Sequence, residues 1–381
     1  MKQVVQNLKN GKIEIIDVSV PALPEKFVLV ENLFSLISVG TEKRTVNFGK
    51  SSLLKKAIQR PDLVKQVLKS LSKDGISTTA QRVSSRLESL TALGYSTSGL
   101  VISSFDNNSE FKKGDRVACA GQNYASHSEY VSVPQNLTVK IPDNVSMEDA
   151  SFTTLGAIAM QGIRQSNVRL GERVCVIGLG LLGQISCQLL KANGCQVLGI
   201  DVSDKMIEMA NENNFASAYS RNNQNLQSIC DNFSKGKGFD KVIITAKSNT
   251  NDPIILATEI LRKKGEIILV GEVPMDIPRE PNFYPKELEL KISCSYGPGR
   301  YDSIYEEDGN DYPFEYVRWT EKRNMESFLD LLSTGKINLK PLITHIFDIE
   351  DAKKAYDLVL GNTNEDFIGV LINYGNEKKS N

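Results

Sequence analysis

An α/β fold with a parallel sheet is predicted by two features of this sequence, and a separate β-rich domain by a third. From Arg173 onward, short β-branched runs alternate with helical patterns, the rhythm of a doubly wound parallel sheet covered on both faces. The glycine loop "GLGLLG" (178–183) sits between the first of those strands and its helix. The chain has 381 residues, room for two domains, and its first 150 read mostly as strands and turns.

In order, "KIEIIDVSV" and "KFVLVENLFSLIS" are β-branched and apolar, parted by "PALPE". Residues 51–90 change character. Leu63, Val64, Val67, Leu68 and Leu71 recur at helical spacing, and Pro61 suits a first turn. "STTAQRVSSRLESL" predicts another helix, opened by Ser77 or Thr78. Together they form a helical insertion, a lid or an interface. "TSGLVISSF", "DRVACAG", "EYVSVP" and "TVKIP" then predict strands, and Met147 through Ile163 a helix.

"RVCVIGLG" is a strand, "GQISCQLLKANG" a helix ended by Gly194, "CQVLGID" a strand and "SDKMIEMANENN" a helix. "DKVIITA", "GEIILVGE" and "ELELKISCSYG" supply three more strands, the last an expected sheet edge. A polar, aromatic stretch (297–320) precedes the helix "NMESFLDLLSTG", the segment "LITHIFD", the helix "IEDAKKAYDLVLG" and the strand "FIGVLINY". The tail "GNEKKSN" is expected to fray.

Composition narrows the function. Lys plus Arg number 45 against 46 Asp plus Glu, a balance that points to neither nucleic acid nor a membrane surface. No apolar run is long enough to span a bilayer, and the N-terminus lacks the apolar region of a secretory signal, so a cytoplasmic protein is expected. The six cysteines form no C-x-x-C pair and sit mostly in apolar runs, as buried thiols in a reducing compartment do.

The glycine loop carries the strongest chemistry. Gly178 permits a tight turn, Gly180 lets backbone approach a pyrophosphate, and Gly183 lets the helix pack on the strand. The helix N-terminus then faces the phosphate charge. Asp201 ends the next strand, where its carboxylate would meet ribose hydroxyls and repel a 2′-phosphate. NAD is therefore favoured over NADP, with Lys205 nearby to soften the preference. Leu181, Leu182, Val202, Ala246, Val270 and Gly271 complete the expected coenzyme set.

With that motif in mid-chain, "GDRVACAG", "EYVSVPQNLTVKIPDNVSMEDASF" and "LITHIFDIEDAKKAYDLV" around it, the sequence resembles the medium-chain dehydrogenase/reductase superfamily over nearly all of residues 1–375. The resemblance implies a GroES-like catalytic domain (1–150, with the insertion at 51–90), a Rossmann domain (151–296) and a C-terminal return to the catalytic domain (297–381). The insertion, "LGYSTSG", "SYGPGRYD" and "DYPFEYVRWTEKRN" are similar to a zinc-lacking branch. That branch includes bacteriochlorophyllide dehydrogenase-like proteins and the dehydrogenase half of bi-domain oxidoreductases of bacterial surface-polysaccharide synthesis.

Zinc members of the superfamily have a cysteine where this chain has Val39, a Gly-His-Glu where it has Gly94, Tyr95 and Ser96, and a third donor at Thr153. Val and Thr cannot complete a zinc site, and "CAGQNYASHSEY" is too short for the structural zinc lobe, so no metal is expected. Proton handling then falls to side chains. Thr41 matches the family's relay hydroxyl, Glu42 is adjacent, Tyr95 stands at a ligand position, and Asn123 and His127 come from "GQNYASH". The other reading of His127 is a loop histidine that holds backbone. Tyr124, Arg300, Tyr301, Arg318 and Trp319 are candidate substrate contacts, since Arg forks suit phosphate and rings suit sugars. The Arg-aromatic stretch would also suit an oligomer interface.

The expected protein is a zinc-independent, NAD-dependent oxidoreductase acting on the alcohol or ketone of a sugar or nucleotide sugar, as a homodimer or homotetramer. The alternatives are a quinone/enoyl-type C=C reductase, and a non-catalytic coenzyme-binding partner of a separate sugar oxidoreductase.

Overall fold

In the computed structural model, the residues described are 1–8, 10–50, 90–105 and 109–375. The helical insertion expected at 51–90 lies outside them except for Leu90, and so does the tail beyond Gly375.

The N-terminal half is β-rich because its apolar residues alternate. Strands β1 (Lys2–Asn7), β2 (Ile13–Asp17), β3 (Phe27–Ile37), β4 (Leu90–Ala92), β5 (Ser96–Ser104), β6 (Arg116–Ala120), β7 (Tyr130–Pro134) and β8 (Thr138–Lys140) make two sheets. The smaller has the order β2-β1-β4. β3 organises the larger one. It pairs antiparallel with β5 and β7, with Val30 opposite both Val101 and Val131. These valines are nearly or fully buried. The helix α1 (Val39–Lys50) leaves the end of β3 directly.

Where the sequence predicts one helix over 147–163, two form: α2 (Met147–Ala150) and α3 (Thr153–Ser166). Ser146 caps α2, accepting the Asp149 N–H at 3.1 Å. Leu155, Ala159 and Met160 of α3 share one buried cluster with Val131 of the β-rich sheet and Val176 of the next domain.

That domain adds β9 (Arg173–Ile177), α4 (Leu181–Ala192), β10 (Gln196–Asp201), α5 (Asp204–Glu212), β11 (Ser217–Ser220), α6 (Leu226–Phe233), β12 (Phe239–Ile244), α7 (Asp252–Ile260), β13 (Leu261–Leu269) and β14 (Glu289–Ile292). The order β11-β10-β9-β12-β13-β14, parallel throughout, puts the topological switch between β9 and β12. Ligands bind at the carboxyl ends of strands at such a switch. β14 is the sheet edge expected from "ELELKISCSYG".

The chain then forms α8 (Ser303–Glu306), α9 (Glu321–Ser333), β15 (Ile343–Asp348), α10 (Ala352–Leu360) and β16 (Gly369–Asn373). β16 pairs antiparallel with β3, so the C-terminal segment closes the β-rich sheet in the order β15-β16-β3-β5-β6-β8. No helix among the described residues is long and apolar enough to cross a membrane.

Candidate active site

One cleft of about 560 Å³ lies between the two domains. Its coenzyme wall is built by backbone. Gly178 has φ +97°, and a Cβ there would fall 2.5 Å from the Ala246 nitrogen. A Cβ on Gly183 would fall 1.9 Å from the Gly178 oxygen, so the helix packs on the turn only as glycine. At Gly180, which precedes α4, a Cβ would meet nothing within 4 Å, and no side chain caps the helix. The free N–H groups of that helix end, beside open space, fit a pyrophosphate. Asp201 accepts the Leu179 N–H at 2.5 Å and the Ser203 N–H at 2.8 Å, keeping lone pairs for ribose hydroxyls. These features fit a nicotinamide dinucleotide.

Leu181, Leu182, Gly183, Val270 and Gly271 line the cleft. Asp201, Val202, Lys205 and Ala246 stand outside its lining. Val202 is exposed, and Lys205 pairs with Asp366 at 3.0 Å. Arg44 of α1 and Lys247 both meet Glu272, at 3.0 and 3.2 Å, which ties the two domains together across the cleft.

The opposite wall begins where β3 runs into α1. Ser38, Val39, Thr41 and Tyr95 line it. The Tyr95 hydroxyl donates to Ser38 Oγ at 2.5 Å and lies 3.5 Å from Thr41 Oγ1. Burial raises the Tyr95 phenol above its ordinary value; the Ser38 and Thr41 contacts pull it down and the Glu42 charge pushes it up. It therefore remains a proton-bearing donor at neutral pH.

Glu42 and His127 stand behind this wall, 3% and 0% exposed. Glu42 accepts the Ser38 N–H at 2.8 Å, lies 3.1 Å from His127 Nε2, and accepts the Tyr356 hydroxyl. His127 Nδ1 meets Ser35 Oγ at 2.7 Å, which in turn meets the Tyr374 hydroxyl at 2.7 Å. Both residues thus hold the start of α1 against the sheet. The expectation that His127 shuttles a substrate proton fails on geometry, because its two ring nitrogens are engaged and neither reaches the cleft. Asn123 is also displaced from the expected place. It occupies a left-handed turn (φ +73°) and is exposed outside the lining, which its neighbour Gln122 joins instead.

The donors expected for zinc are absent here in kind. Ser96 gives its hydroxyl to the Ser151 oxygen at 2.6 Å, and Thr153 gives its own to the Ala150 oxygen at 2.7 Å. Val39 has no donor. Among the described residues, no group of three or more His, Cys, Asp or Glu is arranged to hold a metal ion. This set does not fit catalytic zinc.

The Arg-aromatic stretch divides. Arg300 and Tyr301 line the cleft, and so does Tyr296. Arg300 Nη1 already donates to Glu306 at 2.7 Å, so its charge is matched within the chain. Arg318 and Trp319 lie outside the lining, a correction to the expected substrate set. The Trp319 ring takes Arg164 at 3.2 Å and Arg318 at 3.7 Å, the packing of a cation–π stack. Tyr124 is likewise spent elsewhere: its hydroxyl donates to Glu307 at 2.9 Å, and burial with that carboxylate pushes its phenol up to about 12.

Sequence reasoning missed Ser38, Gln122, Ser295 and Tyr296. Tyr296 carried a signal, an aromatic set between the edge strand and the glycines of "SYGPG". Ser38 had none beyond its place before Val39.

Residues 182–307 match the family described as zinc-binding dehydrogenase. An uncharacterized zinc-type alcohol dehydrogenase-like protein of Escherichia coli is 24% identical over 245 residues, 64% of this chain and 63% of that protein. The chain thus spans somewhat less than two thirds of that relative's length. Sorbitol dehydrogenase 1 of Saccharomyces cerevisiae is 26% identical over 306 residues, 72% of this chain and 79% of that one. The crystal structure of an Escherichia coli oxidoreductase/dehydrogenase of unknown specificity involved in membrane biogenesis superposes with a TM-score of 0.74 at 21% identity, over 98% of this chain and 99% of that one. The chain therefore has the medium-chain dehydrogenase fold, a GroES-like domain joined to a Rossmann domain, and matches the zinc-binding dehydrogenases over residues 182–307.

Proposed function

We propose that this protein is a zinc-independent, NAD(H)-dependent oxidoreductase that moves a hydride to or from the alcohol or ketone carbon of a sugar or nucleotide sugar. One observation carries the reading: the Tyr95 hydroxyl, from an expected zinc-donor position, meets Ser38 and Thr41 in a set of hydroxyls that lines the same cleft as the glycine loop. The relatives' names, a sorbitol dehydrogenase among them, support a dehydrogenase of hydroxylated substrates. The resemblance to polysaccharide-linked oxidoreductases supports a sugar.

A bound nicotinamide would accept or return the hydride. The chain's own groups handle the proton. In the oxidation direction, a substrate hydroxyl held against Tyr95 and Thr41 gives up its proton through those hydroxyls, and Thr41 is exposed to take it to solvent. In reduction, the Tyr95 hydroxyl stabilises and then protonates the developing alkoxide. Glu42 and His127 position Ser38, and through it Tyr95.

Screening the purified protein for NADH formation against polyols and nucleotide sugars tests the reading. Tyr95→Phe and Thr41→Val should each lower kcat about 10²-fold or more while NADH affinity holds. Stoichiometric zinc by elemental analysis, bound at these side chains, would sink the metal-free mechanism. We also infer a homodimer or homotetramer, because β14 leaves an open sheet edge with Ile292 57% exposed. Light scattering that returns a monomer at micromolar concentration would reject it.

A further inference from the structure

Two cations flank Asp201, and each is held by a carboxylate from elsewhere in the chain. Asp201 ends β10, and its partner in the parallel register is Ser220, the end of β11. The next residue, Arg221, donates its backbone N–H to the Asp201 carbonyl at 2.8 Å, so its side chain starts beside the carboxylate that would meet the ribose. Lys205 follows Asp201 by four residues, in the first turn of α5. Both are the kinds of side chain that accommodate a 2′-phosphate.

Both cations are engaged. Arg221 forks onto Asp252, the first residue of α7, with Nε 3.0 Å from Oδ2 and Nη2 2.7 Å from Oδ1. Lys205 Nζ lies 3.0 Å from Asp366 Oδ2. Asp366 belongs to the C-terminal return and precedes Phe367 and Ile368, which line the cleft. The Lys205 pair therefore joins the Rossmann domain to the segment that closes the GroES-like sheet. Asp201, Asp252 and Asp366 outnumber Lys205 and Arg221, and exposed Asp204 adds one more carboxylate. A 2′-phosphate carries about −1.5 to −2 charges. To be bound it must draw a cation from its partner and leave that carboxylate bare. A neutral ribose hydroxyl needs neither cation.

We propose that Asp252 and Asp366 are specificity-determining residues, which reject the 2′-phosphate of NADP by keeping Arg221 and Lys205 engaged, so that Asp201 is one part of a distributed filter. This rests on the coenzyme reading and deepens it. The two locks differ in strength. The Arg221 fork makes two charge-assisted hydrogen bonds to one carboxylate. The Lys205 pair is a single contact and the more exposed of the two, so water and salt weaken it. Asp252 therefore contributes the larger share.

Titration calorimetry of the full chain with NADH and with NADPH at low salt tests this through the ratio of the two affinities. The wild type is expected to prefer NADH. Asp366→Asn should shift the ratio toward NADPH about threefold, and Asp252→Asn about tenfold, with NADH affinity held within about twofold. Adding Lys205→Met to the first variant, or Arg221→Met to the second, should cancel its shift. Asp366→Glu, which keeps the carboxylate, should keep the wild-type ratio. A melting curve for each variant confirms that it is folded; Asp366 lies in a loop, so its variants test the filter even where loss of Asp252 unsettles α7. The proposal is overturned if Asp366→Asn and Asp252→Asn leave the ratio unmoved, if removing the cations fails to cancel the shifts, or if the wild type already prefers NADPH. It is overturned equally if Asp366→Asn weakens both coenzymes alike, the mark of a pair that only braces the two domains. A wild type that binds neither coenzyme sinks the coenzyme reading itself, and this inference with it.

Discussion

The two walls of the cleft follow different rules. On the coenzyme wall three side chains brace the backbone of the glycine turn: Asp201 takes two backbone N–H groups, Thr245 holds the Gly178 carbonyl, and the Gln184 amide donates to the carbonyls of Leu179 and Met206. On the return wall Tyr296, Arg300 and Glu321 leave atoms unmatched. The first wall is preorganised by backbone for a ligand that presents phosphates and ribose.

The sharpest break is Gly183→Ala. Its Cβ would strike the Gly178 carbonyl, and a backbone atom cannot move aside as a side chain can. A loss of roughly 3 kcal/mol in stability is expected, with NADH binding abolished; a melting curve and an NADH fluorescence titration measure both. Polyol affinity of the free chain should survive, which would separate the two walls experimentally.

His127→Leu comes next. It removes one partner of a buried carboxylate and should destabilise the chain by about 2–3 kcal/mol in denaturant melts. Polyol KM should change little, because His127 touches no cleft atom. A normal melt with a collapsed kcat would restore the proton-shuttle role for His127.

Asp201→Asn probes the coenzyme wall more gently. NADH binding should weaken by about 2 kcal/mol, the scale of a charge-assisted hydrogen bond, and NADPH should gain relative to NADH. Titration calorimetry in which the wild type already prefers NADPH would reject the role given to Asp201. The smallest effect belongs to Arg318→Lys. Packed on Trp319 away from the cleft, it should alter stability by no more than about 0.5 kcal/mol and leave substrate KM unmoved, in contrast to Arg300→Lys.

This contrast explains what could be read in the sequence. The glycine wall is local: Gly178, Gly180 and Gly183 lie within six residues, and Asp201 ends the next strand, so spacing alone conveys the geometry. The opposite wall joins residues from Ser38 to Ile368, brought together by β16 pairing with β3, and no local pattern records that pairing. Burial was hidden for the same reason. Thr41 and Glu42 are neighbours in α1, yet one faces the cleft and the other the core. Arg300 and Arg318 sit in one Arg-rich run, and only the turn through α8 sends them to different places. The strand β1 and the break between α2 and α3 also escaped, since "KQVVQN" is short and polar and "ASF" does not interrupt a helical period.

The helix α3 has a consequence for how the protein unfolds. Its buried residues Leu155, Ala157, Ala159 and Met160 belong to one apolar cluster that runs from Val131 in the GroES-like sheet to Val176 and Ile268 in the Rossmann sheet. That apolar cluster is continuous across the two halves. Heat should therefore melt them in one cooperative step, with calorimetric and van't Hoff enthalpies in agreement. Either half expressed alone would present the bared flank of α3, or the sheet that covered it, to water and would aggregate.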